Sequence, residues 1–253
     1  MQGQSLSIVL PAYNETHRLP QTLGELRAYL GPRFERYEVI VVDDGSSDGT
    51  AELVRQWMES WPELRLLVQP KNMGKGAAVR RGMLAASSEL ILFTDSDLAT
   101  PIEELEGMLH HFDDGRSRAV VGVRTYQSDT GKWRRVLGLS MQIVAHLIVF
   151  DQAVVDSQCG FKCFTRDAAH RVFERVRING GMFDVEIFPI MQRLGVDVVY
   201  QPVHWTNKAG SRINILRCMV FDVFDMIAIR LNGMFGRYER APARNVAYGP
   251  ASE

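Results

Sequence analysis

Two carboxylates one residue apart close an apolar run, Leu90-Ile91-Leu92-Phe93-Thr94-Asp95-Ser96-Asp97. In an extended chain, residues two apart point to the same side, so this spacing predicts that Asp95 and Asp97 face one divalent cation. Hard cations such as Mg²⁺ take oxygen ligands and keep places for water and substrate phosphate. The chemistry that fits is a metal holding a diphosphate. A second acidic turn, Asp43-Asp44-Gly45-Ser46, follows the apolar pair Val41-Val42. Two strands ending in acidic turns point to one cleft at the carboxyl edge of a parallel sheet.

Other residues with chemical potential lie at strand exits or helix starts. Pro11-Ala12-Tyr13-Asn14-Glu15 follows the first apolar run. There Tyr13 offers a ring face for a base, and Asn14 and Glu15 can hydrogen-bond a base or sugar edge. An ordinary strand-to-helix turn capped by Asn14 would look the same. Asn72-Met73-Gly74-Lys75-Gly76 sets a lysine between glycines at a helix start, where anions are favoured. It lacks the P-loop spacing. No Gly-x-Gly-x-x-Gly follows the first strand, which argues against an ordinary dinucleotide fold. Asp-x-Asp after a strand also occurs in haloacid-dehalogenase-type phosphatases, with the first Asp as nucleophile. Those carry the motif near the chain start, with Thr or Val two positions beyond it. Here it comes late, and that position is Ala99. The six histidines show no metal spacing, and Cys159 and Cys163 lack the partners a zinc site needs.

The elements that must position these residues alternate through the first half of the chain. Strands are expected at 7–13, 37–44, 64–69, 90–97 and 119–124, and helices at 19–30, 49–60, 75–87 and 101–111, with Asp48 as a cap. This alternation predicts a mostly parallel sheet covered by helices. The second half is less regular: helices at 133–150 and 183–194, strands at 161–164 and 196–205, and a loose tail from Ala241.

The length of 253 residues and 46% hydrophobic content suit one sizeable core with an appendage. Three cysteines fit a reducing compartment better than a disulfide framework. The polar start, Met1 to Ser7, predicts no secretory leader. The net charge of −1 divides unevenly: residues 1–129 hold 13 basic and 19 acidic side chains, residues 130–253 hold 16 and 11. The second half could therefore meet a phosphate or a lipid surface, or the asymmetry could be ordinary scatter. Residues 136–150 carry no charge but are too short to span a bilayer. Residues 213–235 are long enough, yet Arg217, Asp222, Asp225 and Arg230 argue against spanning. The pattern suits a helix lying in the membrane interface, or one packed on the core.

Taken in order, these motifs resemble the family 2 inverting glycosyltransferases of GT-A fold, and within them the polyprenyl-phosphate (dolichyl-phosphate) glycosyltransferases. The resemblance runs from Ser5 to Arg240. Besides the motifs above it includes Gly122-Val123-Arg124, Ser157-Gln158-Cys159-Gly160-Phe161-Lys162, Phe183-Asp184-Val185-Glu186 and the stretch Trp205 to Arg212. It implies a GT-A domain over residues 1–212 and an amphipathic interfacial helix with a loose tail over 213–253. It implies a nucleotide-sugar donor whose nucleoside meets Pro11, Ala12, Tyr13, Asn14, Glu15, Val42 and Asp44. Asp95, Ser96 and Asp97 would hold the diphosphate through Mg²⁺ or Mn²⁺, with Lys75 nearby and Asp97 the leading ligand.

Arg124, Lys162 and Arg212 would meet donor or lipid phosphate. Asp184 and Glu186 would orient the acceptor or a basic partner, or one of them would supply a base if the acceptor were a hydroxyl. Mannosyl relatives often place Gln where Ala99 stands. The glucosyl subset is the better match, so the implied reaction moves glucose from UDP-glucose to a polyprenyl monophosphate, dolichyl or undecaprenyl, with inversion. The alternatives are GDP-mannose as donor, a hydroxyl acceptor, or a silent binding module. Peripheral association with the cytoplasmic membrane face would follow from 136–150 and 213–235. No nucleic-acid partner is expected, and the oligomeric state stays open.

Overall fold

The computed structural model describes residues 4–113, 115, 117–126, 149, 154–206 and 215–239. Seven strands make one sheet: β1 (Leu6–Ala12), β2 (Tyr37–Asp43), β3 (Leu64–Val68), β4 (Leu90–Thr94), β5 (Ala119–Tyr126), β6 (Phe161–Thr165) and β7 (Val198–Trp205). Their order is β3-β2-β1-β4-β6-β5-β7. All pairings are parallel except those of β6, which runs antiparallel to both β4 and β5. The carboxyl ends of the parallel strands and the start of β6 therefore meet at one edge, where Tyr13, Asp44, Asp95, Arg124, Gly160 and Trp205 gather. This is the crevice such sheets offer to ligands.

Alternation along the strands builds two cores. Val9, Ile40, Val42, Ile91, Phe93 and Phe164 face one side, and Ile8, Leu10, Val39, Val41, Leu92 and Cys163 the other. Both faces are covered, which is why β1, β2 and β4 read as nearly unbroken apolar runs. The first core receives α3 (Lys75–Ala85), α5 (Arg166–Phe173) and α6 (Phe183–Leu194); the second receives α1 (Leu19–Leu30) and part of α4 (Leu105–Leu109). Helix α2 (Thr50–Met58) follows β2, and Asp48 Oδ1 accepts the Thr50 N–H at its start, 3.0 Å.

The expected elements are present to within a few residues, with three differences. β4 ends at Thr94, so Asp95 and Asp97 sit in a turn and not in a strand. The helix expected at 101–111 is broken into a short α-helix between two 3₁₀ turns. Helix α5 had no counterpart among the expected elements, although Ala168, Ala169, Val172 and Phe173 give it a buried face at helical spacing. The helix expected at 133–150 lies outside the described residues, apart from the buried Val149.

Helix α7 (Ile215–Met234) belongs to this body and also faces out. Met226 and Ile229 are buried in the first core together with Tyr238. Phe224, Ile227, Leu231 and Met234 are exposed, with Phe221 and Phe235 at the two ends. Asn232 is buried and Asp222 and Asp225 are half-buried. Asp222, Asp225 and Asn232 thus lie toward the protein together with Met226 and Ile229, and a second apolar face is turned away from it.

Candidate active site

The acidic turn is a built structure. Leu98 N–H donates to the Asp95 carbonyl, 3.1 Å, and Ala99 N–H to Asp97 Oδ1, 3.1 Å. Thr22 Oγ1 on α1 donates to the Ser96 carbonyl, 2.6 Å, and Thr206 N–H beyond β7 donates to the Ala99 carbonyl, 2.8 Å. Leu98 is buried at φ 46°, a left-handed conformation that a leucine adopts only when its surroundings impose it.

In this turn Asp95 and Asp97 do not share the alternation of a strand. Asp95 Oδ1 meets Lys75 Nζ at 2.6 Å, and Asp97 Oδ2 lies 3.6 Å from Arg18 Nη1. Gly160 makes room for Asp95: a Cβ there would fall 2.7 Å from Asp95 Cγ. Both carboxylates are partly open to solvent. Their hard oxygen donors are of the kind a divalent cation takes, although each now faces a cation of the chain. Among the described residues no group of three or more His, Cys, Asp or Glu side chains is arranged as a metal site. An ion here would complete its shell with water and phosphate.

Lys75 opens α3 beside Gly74, whose φ of 100° only glycine adopts freely. The N–H groups of Gly76 and Ala77 donate to the Asn179 carbonyl, at 2.7 and 3.3 Å, so these two do not cradle an anion. What this helix start offers is the Lys75 side chain. Burial pulls its pKa down, but Asp95 and Asp184 outweigh that and leave it raised.

Lys162 is fully buried on β6, its Nζ bonded to the Cys159 carbonyl at 2.5 Å and to Asp184 Oδ1 at 2.6 Å. It therefore does not meet a phosphate directly, contrary to the expectation. Asp184 Oδ2 in turn lies 3.9 Å from Lys75. Glu186 has no exposure and accepts the N–H groups of Arg177 and Ile178, at 2.9 and 2.8 Å, and the Tyr238 hydroxyl, 2.9 Å. Burial raises its pKa. A base role for Glu186 is excluded by this enclosure; it ties the 177–178 segment and the chain after α7 to α6.

The nucleoside group divides as well. Tyr13 and Asn14 are exposed, but Pro11 and Ala12 are sheet residues and the Val42 side chain packs in the first core. Pro11 is tolerated in an inner strand because the β1–β4 ladder ends at Val9. Asp44 is 3% exposed and accepts Gln69 Nε2 and the N–H groups of Met73 and Gly74, at 2.7, 2.8 and 2.8 Å. Glu15 is bound through both oxygens to Arg18, Oε2 to Nε at 2.7 Å, and so serves to hold that arginine. Ser96 is buried in the acidic turn. Arg212 lies outside the described residues.

Two site residues escaped the sequence reading. Arg18, between Glu15 and Asp97, directly precedes α1, and no local pattern marks it. Asp156 is bidentate with Arg124, Nε to Oδ2 2.7 Å and Nη2 to Oδ1 2.9 Å, and Arg124 also stacks 5.7 Å over Trp205. Burial raises the Asp156 pKa, but the hydrogen bonds from Arg124 outweigh it and leave it lowered. Asp156 directly precedes the motif at 157–162; a half-buried arginine's need for a counter-ion was the available signal.

A mixed sheet with this order, an acidic turn at its carboxyl edge and cations around that turn define a nucleotide-sugar transferase of GT-A type. The sequence profile of the family described as Glycosyl transferase family 2 matches residues 7–173, and the chain belongs to that family. It is 34% identical over 246 residues to a dolichyl-phosphate beta-glucosyltransferase of Dictyostelium discoideum, covering 91% of this chain and 75% of that protein. It is 32% identical to the human dolichyl-phosphate beta-glucosyltransferase, covering 96% and 80%. Among solved structures, the mannosyl-3-phosphoglycerate synthase of Rubrobacter xylanophilus superposes with a TM-score of 0.68 at 18% identity, covering 96% of this chain and 79% of that one. The glucosyl-3-phosphoglycerate synthase of Mycobacterium tuberculosis, in complex with Mn²⁺, UDP-glucose and phosphoglyceric acid, gives 0.66 at 18%, covering 95% and 82%. These structures share the fold.

Proposed function

We propose that this protein transfers glucose from UDP-glucose to a polyprenyl monophosphate, with inversion and with the help of Mg²⁺ or Mn²⁺. The observation that carries the reading is the acidic turn of Asp95 and Asp97 with Lys75 and Arg18 beside it, in a chain whose relatives are named for glucosyl transfer to dolichyl phosphate.

Asp97 and Asp95 would hold the metal, which when bound stabilises the leaving nucleoside diphosphate as a Lewis acid. Lys75 and Arg18 would balance the diphosphate. Tyr13 would stack on the base, and Asn14 and the remaining lone pair of Asp44 would hydrogen-bond the nucleoside. Arg124, held flat by Asp156 and Trp205, and Arg212 would receive the acceptor phosphate. A phosphate monoester is already anionic near neutral pH, with its second pKa at about 6. Its oxygen can attack the anomeric carbon with no proton to remove, and the Asp184–Lys162 pair then serves position and not base catalysis.

The acceptor is a lipid, and the outward apolar face of α7 would rest on the membrane surface, supporting peripheral association. Among the described residues no helix is long and apolar enough to cross a membrane. The cytoplasmic face is the side we favour, because Cys159 and Cys163 are free thiols.

The test is a donor screen. Purified protein with Mn²⁺ and polyprenyl phosphate is given radiolabelled UDP-glucose or GDP-mannose. Label should pass into the lipid fraction from UDP-glucose. Transfer from GDP-mannose alone would move the assignment to mannose, and transfer only to a soluble hydroxyl would remove the lipid.

A further inference from the structure

The two carboxylates assigned to the metal are each already faced by a cation of the chain. Lys75 Nζ stands 2.6 Å from Asp95 Oδ1, and Arg18 Nη1 3.6 Å from Asp97 Oδ2. These cations differ from Lys162, which is fully buried and fixed by Cys159 and Asp184. The Lys75 and Arg18 side chains are 38% and 37% exposed, so both border the open edge of the site. Arg18 is held at its guanidinium by Glu15, which takes Nε and Nη2 and leaves Nη1 toward Asp97, and Lys75 is held at its backbone, at a corner where Gly74 and Gly76 abut the 178–180 backbone.

We propose that Lys75 and Arg18 are exchange cations: they release Asp95 and Asp97 to the metal only as they take up the donor diphosphate. The idea rests on the metal reading of Asp95 and Asp97 and assigns Arg18 a positioning role in it. A divalent ion held by these carboxylates would crowd the ammonium and guanidinium with like charge. The diphosphate of a nucleotide-sugar carries two negative charges, matching the ion's two positive ones. Metal and donor arriving together leave the local balance unchanged, whereas either alone leaves two charges uncompensated. A diphosphate bound to that ion would lie beside the two carboxylates, where Arg18 and Lys75 already reach. Metal and nucleotide must then bind cooperatively, each tightening the other by the same factor.

The experiment measures Mn²⁺ affinity from the free-ion paramagnetic resonance signal, with and without saturating UDP-glucose; uridine, which lacks the diphosphate, is the control. In the wild type UDP-glucose should tighten Mn²⁺ about tenfold or more, within the usual coupling range, and uridine should not. Lys75→Met and Arg18→Gln should each bind Mn²⁺ alone several-fold more tightly, with the coupling to UDP-glucose reduced to about threefold or less. The charge-preserving Arg18→Lys should keep most of the coupling, and melting curves identify any variant that fails to fold. Tighter Mn²⁺ binding with coupling intact would mean that the cations only repel the ion, and weaker Mn²⁺ binding that they only hold the turn in shape; either overturns the exchange. Wild type that binds no UDP-glucose at all sinks the donor reading itself, a separate outcome from unchanged coupling.

Discussion

Lys162 Nζ and Asp184 Oδ1 meet at 2.6 Å beneath the acidic turn, with Lys162 fully buried and Asp184 4% exposed. The pair continues outward through Lys75 to Asp95, so opposite charges alternate from the sheet interior to the open edge. A lysine that a motif would send to a phosphate instead fixes the carboxylate behind another lysine.

Removing one member leaves a buried charge with its main partner gone, which costs about 3–5 kcal/mol. Lys162→Met is therefore expected to lose that much stability in urea unfolding, whereas the double replacement Lys162→Met/Asp184→Leu should recover a large part of it. Equal losses in single and double variants would show that the pair contributes no coupling.

Glu186→Gln separates a base from a brace. The amide can still accept the Arg177 and Ile178 N–H groups through its oxygen and donate to Tyr238, so turnover should stay within about threefold of wild type. A catalytic base would lose orders of magnitude. The same variant has a stability signature. Unfolded, Glu186 ionises near its ordinary 4.5; folded, burial keeps it protonated to higher pH. The native state then binds the extra proton, so this group's contribution falls as pH rises from 4.5 through the raised value. Glu186→Gln should remove that slope from stability measured between pH 4 and 8.

Asp97→Ala should abolish Mn²⁺-dependent UDP-glucose binding and lower transfer by about three orders of magnitude, as loss of a metal clamp worth several kcal/mol requires. Its melting temperature should stay near wild type, because Asp97 is partly exposed and meets the Ala99 N–H and Arg18 at the turn edge. Asp95→Ala should be similar or milder. Near-normal turnover of Asp97→Ala with Mg²⁺ would remove the metal from this residue.

Phe224 and Met234 are 65% and 68% exposed on α7. Buried apolar side chains of this size contribute about 1.5–3 kcal/mol each. Phe224→Ser/Met234→Ser should therefore weaken flotation with anionic liposomes at least about tenfold while leaving UDP-glucose affinity unchanged. Normal flotation by the folded double variant would end the interfacial role of this face.

The strand-and-helix alternation, the buried runs of β1, β2 and β4, and the two acidic turns were all legible in the sequence. Burial on both sheet faces dictates continuous apolar runs, and ligands collect where parallel strands end, so Asp95, Asp97, Lys75 and Tyr13 could be singled out. Helix α5 was missed because it has only eight residues and follows β6 directly, although its apolar positions stand at helical spacing. What the sequence could not decide was pairing at a distance. Arg18 with Asp97, Arg124 with Asp156 and Lys162 with Asp184 join residues 79, 32 and 22 positions apart. No local periodicity carries such information. Whether a charged side chain reaches a substrate or is spent on another depends on which strands the sheet sets side by side, and on how deeply each is buried. That is why Lys162, Glu186 and Val42 changed from ligand candidates into structure, and why α7 buries Met226 and Ile229 yet turns a second apolar face outward.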